Sequence, residues 1–484
     1  MILVLGIVLL NGCKSTDQNI VTAIGHVPVI SPDYSGVTIP CNIAPLNFRI
    51  QDEGLHFRVR ATNHAGFHID ISSSDGLIRF SLKKWKKLIA GSPGDSIRIE
   101  ILSYNKEGKK KRFDPFFINV SVDSIDPWIC YRLLYPGYES WSEMKIVQRS
   151  TESFREYSVV ENQLLDGNCV NCHTFFQNDP ERFFIHVRGS MAGTYFVDRD
   201  TVKRIELRTP EMKANAVYPS WHPSGKYIVF SSNKIVQSVH MNPGKDNEFY
   251  DVFSSLVFYD VKKNEISSCG TADSVKYMET YPCWSPDGNS LYYCRTEQVE
   301  AGFDYRQVKY DLVRRSFDQQ TGTFGKAQPV FNARNIDKSI SLPAISPDGR
   351  YLIFALHDCG SFPVWHKESD LYLLDLDGNS YSRMELNSDE TESWHSWSSN
   401  GKWLVFSSKR GDGLTSRPYL AYFNSGKTGK PFILPQKDTE LYSKMTETFN
   451  RPEFITGRVK IGSRDFERAS GKKPVKAVWN TEKK

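Results

Sequence analysis

The sequence is short of concentrated charge, of paired cysteines and of long apolar runs. Its 61 Lys and Arg stand against 56 Asp and Glu across 484 residues, a net charge of +5. The excess base collects at residues 106–112 and after residue 457. A nucleic-acid binder concentrates base on one face, so nucleic acid is excluded as a partner. Nine cysteines dispersed over this length do not make a disulfide framework. C-x-x-C occurs once, with no thioredoxin-like βαβ pattern around it. The G-x-S-x-G nucleophile elbow is missing, and so is a second catalytic domain. Carboxylates such as Asp246, Glu248 and Asp251 fall in a polar insert of solvated composition. The balance is against an enzyme.

Residues 2–10 are apolar but too few to span a bilayer. They run into Leu10-Asn11-Gly12-Cys13, which resembles the lipobox of bacterial lipoproteins. That resemblance implies a signal peptide over 1–12, lipidation of Cys13 and a tether to a membrane face. No Lys or Arg precedes the apolar run, a departure from the usual signal. Residues 13–28 read as a polar linker.

What the chain has in quantity is one pattern, repeated. Tyr218-Pro219-Ser220-Trp221 leads into His222-Pro223-Ser224-Gly225 and then an apolar strand ending at Phe230. The pattern returns around Trp284, Ile345 and Trp397, at spacings of about fifty to sixty residues. In each copy a short strand meets a tight turn whose Gly relieves the backbone, and an aromatic or β-branched strand follows. One such hairpin cannot bury its apolar face; radial repetition can. The pattern resembles the repeats of TolB-like β-propellers over roughly residues 155–455. The resemblance implies an all-β fold with about six blades within residues 126–456. Four blades come from the explicit copies, one from near 155–210, and the sixth from both ends or from the insert at 300–335.

Ahead of it, residues 29–125 alternate as strands, with one amphipathic helix from Leu82 to Ala90 stopped by Gly91. They read as a small β-sandwich-like domain. After Phe449-Asn450-Arg451-Pro452-Glu453-Phe454 the pattern stops. Residues 457–484, polar and basic, read as a disordered tail.

One chemical motif stands out. Cys169-Val170-Asn171-Cys172-His173 is C-x-x-C-H, the attachment signature of c-type haem. Two thiols on one side of a tight turn reach the haem vinyls, and the adjacent imidazole ligates iron. His186 and Met191 are candidates for the distal ligand. The alternatives are zinc on Cys169, Cys172 and His173, which lacks an evident fourth ligand, a redox dithiol, and structural thiols in a buried turn. His222 and His395 sit at repeats and read as hydrogen-bonded structure.

A closer resemblance rests on several segments in order: Ile39-Pro40 with Asn42-Ile43-Ala44-Pro45, Tyr131-Arg132-Leu133, Asn171-Cys172-His173, His186 with Arg188-Gly189, and Trp365-His366-Lys367. Together they are similar to TolB-like propeller lipoproteins of Gram-negative anaerobes, often labelled cytochrome c biogenesis or Tol-type translocation proteins. The resemblance implies an exported, lipid-anchored propeller in the periplasm or at the cell surface, on the outer membrane, with an envelope protein as partner and one haem c. It implies no reaction and no oligomeric state. Three functions compete: a binding or scaffold module, a monohaem electron carrier, and a propeller hydrolase or lyase.

Cys13→Ala tests the anchor. The variant should move from the membrane fraction to the soluble fraction; retention with unchanged gel mobility would refute lipidation.

Overall fold

A computed structural model describes residues 21–106, 108–135, 143–238, 247–270, 275–300 and 302–481. The signal peptide and Cys13 lie outside the described residues, as does Asp246. The fold is all-β, built from many small sheets.

Residues 21–125 form a seven-stranded sheet and a three-stranded sheet with one helix. Alternation decides the faces. In Asp95–Tyr104 the side chains of Ile97, Ile99 and Ile101 are buried while the intervening residues face outward. The helix Leu82–Ala90 buries Trp85, Leu88 and Ile89 and ends at Gly91. Part of the expected linker is structured: Val21–Ala23 pairs in parallel with Lys110–Arg112.

Six antiparallel sheets follow. Sheet I holds Trp128–Leu134, Met144–Ser150 and Glu156–Glu161, and its fourth strand is the distant Thr448–Ile455. Sheets II to VI each run in chain order from a leading strand: Cys169–Phe176, Ala216–Trp221, Tyr277–Trp284, Ser339–Ile345 and Glu392–Trp397. The insert at 300–335 belongs to sheet IV, whose Asp311–Asp318 pairs with Thr323–Phe324 and Gln328–Phe331. The leading strands touch in a ring. II meets III, III meets IV, IV meets V and V meets VI; Thr448–Ile455 of sheet I then meets both VI and II.

The repeat residues have equivalent places. Trp221, Trp284, Ile345 and Trp397 each end the leading strand of their sheet. The turns behind them close on Gly225, Gly288, Gly349 and Gly401, with φ of 67°, 73°, 77° and 67°, where a side chain is disfavoured. In three of them a serine Oγ binds the residue two further on, as Ser346 does with Asp348. In the first, His222 Nδ1 and Ser224 Oγ, 2.7 Å apart, make the equivalent bond.

The last stretch of the pattern, Thr448–Ile455, is a further leading strand. One expectation from composition is corrected: the residues after 457 do not lack structure. Helix Ser463–Ser470 buries Phe466 and Ala469, with Phe466 against Tyr195. Val475–Lys476 then pairs with sheet II and Val478–Trp479 with sheet III. A few apolar anchors and a free sheet edge order this polar segment.

The amino-terminal sheets do not stand apart. One continuous core joins Ile43, Trp85 and Ile118 to Trp403, Leu420 and Phe432 of sheet VI and Phe449 of sheet I. Asp126, at the expected boundary, accepts from Ser399 N at 2.7 Å in the turn of sheet VI.

Candidate functional site

Each leading strand slips by one residue against its neighbour at the same place. The slip falls between Val217 and Ser220, Thr280 and Cys283, Ser341 and Ala344, and Ser393 and Ser396. In sheet I it falls opposite Cys130 and Arg132, at Arg451-Pro452. The first slipped residue takes a left-handed backbone, with φ of 48° at Tyr218, 51° at Tyr281, 56° at Leu342, 42° at Trp394 and 49° at Arg451. Large residues seldom adopt that conformation. A bulge re-aims a side chain, and five of these residues converge around the middle of the ring. Tyr218 and Tyr281 rings lie 4.6 Å apart. Tyr218 and Trp394, from sheets on opposite sides of the ring, are 6.5 Å apart.

These residues make a floor, and above it a well of about 480 Å³ opens toward the tight-turn end. In sheets III to VI its walls run from the slipped residue to the following turn; sheet II adds residues from Thr174 to Asn178 and sheet I Arg451 to Glu453, and the walls include seven prolines, among them Pro219, Pro282, Pro343 and Pro452. The charged residues lining it are Arg451 and Glu453. Arg451 Nη2 donates to Thr174 Oγ1 at 2.6 Å, and its guanidinium carbon lies 5.8 Å from the centre of the Trp394 ring. Its Nη1 has no acceptor. Glu453 Oε1 accepts from Phe175 N at 3.1 Å. Its Oε2, without a hydrogen bond, stands 3.9 Å from His173 Nε2. Burial pushes the Glu453 carboxyl up to about 7, against a smaller opposing pull from Arg451.

The C-x-x-C-H motif is the sheet II version of the same slip. Cys169–Phe176 is a strand, not a tight turn. Its register shifts between Val170 and His173, so Asn171 and Cys172 fill the places that Tyr218 and Pro219 fill in sheet III. Cys169 pairs with Arg188 and His173 with Ile185. Side chains alternate along the partner strand, so Cys169 and His173 face opposite sides of the sheet. All three motif side chains are buried, His173 at 1% exposure, and none of them lines the well. A covalent haem needs both thiols at its edge and the imidazole over its face. The folded strand does not fit that group.

His173 instead belongs to the interior of the ring. Its ring nitrogens make no hydrogen bond of good geometry, although the Cys130 and Arg451 backbones approach it. Burial first, then the Arg451 and Arg132 charges, lower it to about 3, so it is neutral at pH 7. His186 sits on the face opposite His173, 3.3 Å from Thr194 Oγ1 through Nδ1, and burial lowers it to about 3 as well. Met191 lies in the turn after Arg188, its carbonyl taken by the Tyr195 hydroxyl at 3.0 Å. The structure therefore does not bring His186 or Met191 into line with His173. Among the described residues no three His, Cys, Asp or Glu side chains converge as a metal-ligand set.

Other candidates are structural. His222 Nε2 lies 3.1 Å from the Gly288 carbonyl, and His395 Nε2 lies 3.1 Å from that of Ile353. Asp251 accepts from Asn233 at 2.9 Å and Ser361 at 2.7 Å, and burial raises it to about 6. Glu248 stands 3.7 Å from Arg306. Ser341 Oγ lies 2.9 Å from His357 Nε2, but both are fully buried and His357 Nδ1 is engaged with the Cys359 carbonyl. No substrate reaches that pair. Sequence reasoning missed Arg451 and Glu453. The signal was there: Arg451-Pro452-Glu453 matches Tyr218-Pro219-Ser220 once the strand is aligned as a repeat.

No family model matches the chain, and no curated protein does. Among solved structures, a chain of a nidogen/laminin complex is similar at 7% identity and a TM-score of 0.40, over 67% of this chain and 97% of that one. A Mycobacterium tuberculosis puromycin-hydrolyzing peptidase is similar at 10% identity and 0.37, over 86% of this chain and 57% of the peptidase. A Niastella koreensis GH74 enzyme is similar at 12% and 0.36, over 62% of this chain and 44% of the enzyme. These are distant likenesses, and no function is taken from them.

Two outcomes follow from the site. Protein made in a host with haem-attachment machinery should lose all colour on denaturation and extraction, and Cys169 and Cys172 should react with a thiol reagent only after unfolding. Retained haem absorbance would refute the strand assignment. The second concerns Glu453, whose folded value of about 7 lies above the usual 4.5. The stability that its buried neutral form confers is complete below pH 4.5 and is lost as pH rises through 7. Glu453→Gln should therefore gain stability over the native chain between pH 4.5 and 8, by about 3 kcal/mol in denaturant melts. An equal difference at pH 4.5 and 8 would show a solvated carboxylate.

Proposed function

We propose that the six sheets close as a six-bladed TolB-like β-propeller, and that the chain is a binding module of the cell envelope rather than an enzyme. It is held to the outer membrane, in the periplasm or at the cell surface, through lipid on Cys13. It engages a partner at the end of the ring where the well opens. The observation that carries this reading is the well itself: a concave, largely apolar space with a few converging polar groups is what a ligand site needs. The ring of contacts among leading strands supports the closure, and so does the strand Thr448–Ile455, which ties the end of the chain to Trp128–Leu134.

Electron transfer through a single haem is the weaker reading. It needs Cys169 and His173 on one side of a haem, and they lie on opposite faces of a covered sheet. A hydrolase is weaker still: of the serine–histidine contacts described, Ser341 with His357 is sealed inside, and His222 with Ser224 is spent holding a tight turn.

Ala344→Trp is the discriminating variant. Ala344 lines the well and packs against the core between sheets V and VI; that space has no room for an indole, which therefore intrudes on the well. In ligand-observed NMR, fragments that bind the native chain should compete for one site and should be lost in the variant. Fragment binding that survives Ala344→Trp unchanged would place the binding surface elsewhere.

A further inference from the structure

We propose that the well takes an organic carboxylate: a small apolar or aromatic body bearing one negative group, seated with that group on Arg451. This rests on reading the well as a binding site and adds the class of its ligand.

The well contains one fixed cation without a counter-ion. Among the described residues no carboxylate lies within ion-pair distance of Arg451. Its guanidinium is already held, by Thr174 on one side and the Trp394 ring on the other, so a ligand meets it pre-oriented. A half-buried cation is stabilised by an anion brought to it, and a guanidinium matches the planar carboxylate better than any other side chain does. Hydrogen-bond demand points the same way. Among the buried side-chain atoms around the well, Arg451 Nη1, Trp394 Nε1 and Trp284 Nε1 are donors without acceptors, against two unpaired acceptors, Glu453 Oε2 and His395 Nδ1. The unpaired side-chain donors outnumber the unpaired side-chain acceptors, and a carboxylate supplies acceptors.

Glu453 does not reverse this. Its carboxyl faces His173 from the adjoining strand and Arg451 from its own, and burial among them disfavours its charge. Near pH 6 it neither cancels Arg451 nor repels an anion. An ammonium ligand would enter beside Arg451 and meet like charge. The rest of the ligand is set by the proline rings of the walls and the Tyr218 and Tyr281 rings of the floor. These offer flat apolar surface and few polar partners. A volume of about 480 Å³ holds a small aromatic acid and excludes a folded macromolecule.

The test uses the full chain at pH 6 and three matched probes, phenylacetate, phenylacetamide and phenethylamine, with dissociation constants from ligand-observed NMR. Phenylacetate should bind about tenfold or more tighter than the amide, the margin of a charge-assisted contact over a neutral one. Arg451→Gln should erase that ratio, and Arg451→Lys should keep part of it. If Arg451→Gln fails to fold, the acid-to-amide ratio in the native chain and its loss in Ala344→Trp decide the matter. Equal binding of acid and amide, both lost in Ala344→Trp, would overturn the carboxylate assignment and leave the well as a binding site. Tightest binding of the amine would overturn it with the opposite sign. Acid binding that persists in Ala344→Trp would overturn both the ligand class and the site, and so would the failure of all three probes to bind.

Discussion

The slip in the leading strands is the constraint on which the rest of this structure depends. A regular strand shows its side chains alternately to its two faces. Six regular strands meeting in a ring would leave their middle to whatever side chains happened to fall there. One extra residue in each strand turns a large side chain out of the sheet. Tyr218, Tyr281, Leu342, Trp394 and Arg451 occupy that place in five sheets, each with a left-handed backbone. Four of them are followed by proline, which has no N–H to leave unpaired where the ladder is broken. The floor, the prolines of the wall and the turn at the rim are successive residues of one motif seen from the axis.

The same constraint explains the buried histidine and cysteines. Sheet II meets the slip with Asn171 and Cys172 and has no left-handed residue there. A small amide and a thiol fit where the other sheets place a ring and a proline. Cys172 then packs with Tyr218 and Tyr281 in one apolar cluster, while His173 turns the other way, toward Glu453. A five-residue motif with a strong chemical association is here occupied by packing. The backbone between its ends is extended, and an extended chain cannot present the first thiol and the imidazole to one ligand.

The pairing of distant parts of the chain is the second dependence. Thr448–Ile455 pairs with Trp128–Leu134 over its length, so residues more than 300 positions apart, Trp128 with Ile455 and Leu134 with Thr448, share one ladder. Such pairing carries a large loop-closure cost. Here it is reinforced by a core that runs without a break from the amino-terminal sheets into sheets VI and I. The buried Arg149 adds to it, donating to the Pro435 carbonyl at 2.6 Å and to Gln436 Oε1 at 3.0 Å. The carboxyl-terminal strands extend the same long-range pairing to sheets II and III. What composition separates into a domain, a ring and a tail is one packed body at these contacts.

Much of this was determined by the sequence alone. Period-two alternation, four turn motifs and their spacing set the all-β class, the repeat and the equivalence of Trp221, Trp284, Ile345 and Trp397. Those signals are local, and a short strand or tight turn carries its own physics. The tertiary structure alone decided the rest. It made Thr448–Ile455 a member of the first sheet, because strand pairing across the whole chain leaves no local trace. It ordered a polar tail, because the edges that receive it belong to distant strands. It set Cys169 and His173 on opposite faces, because the slip that orients them is defined only against a partner strand. And it brought Arg451 and Glu453 into a common well, because a ring's axis exists only once the ring is assembled.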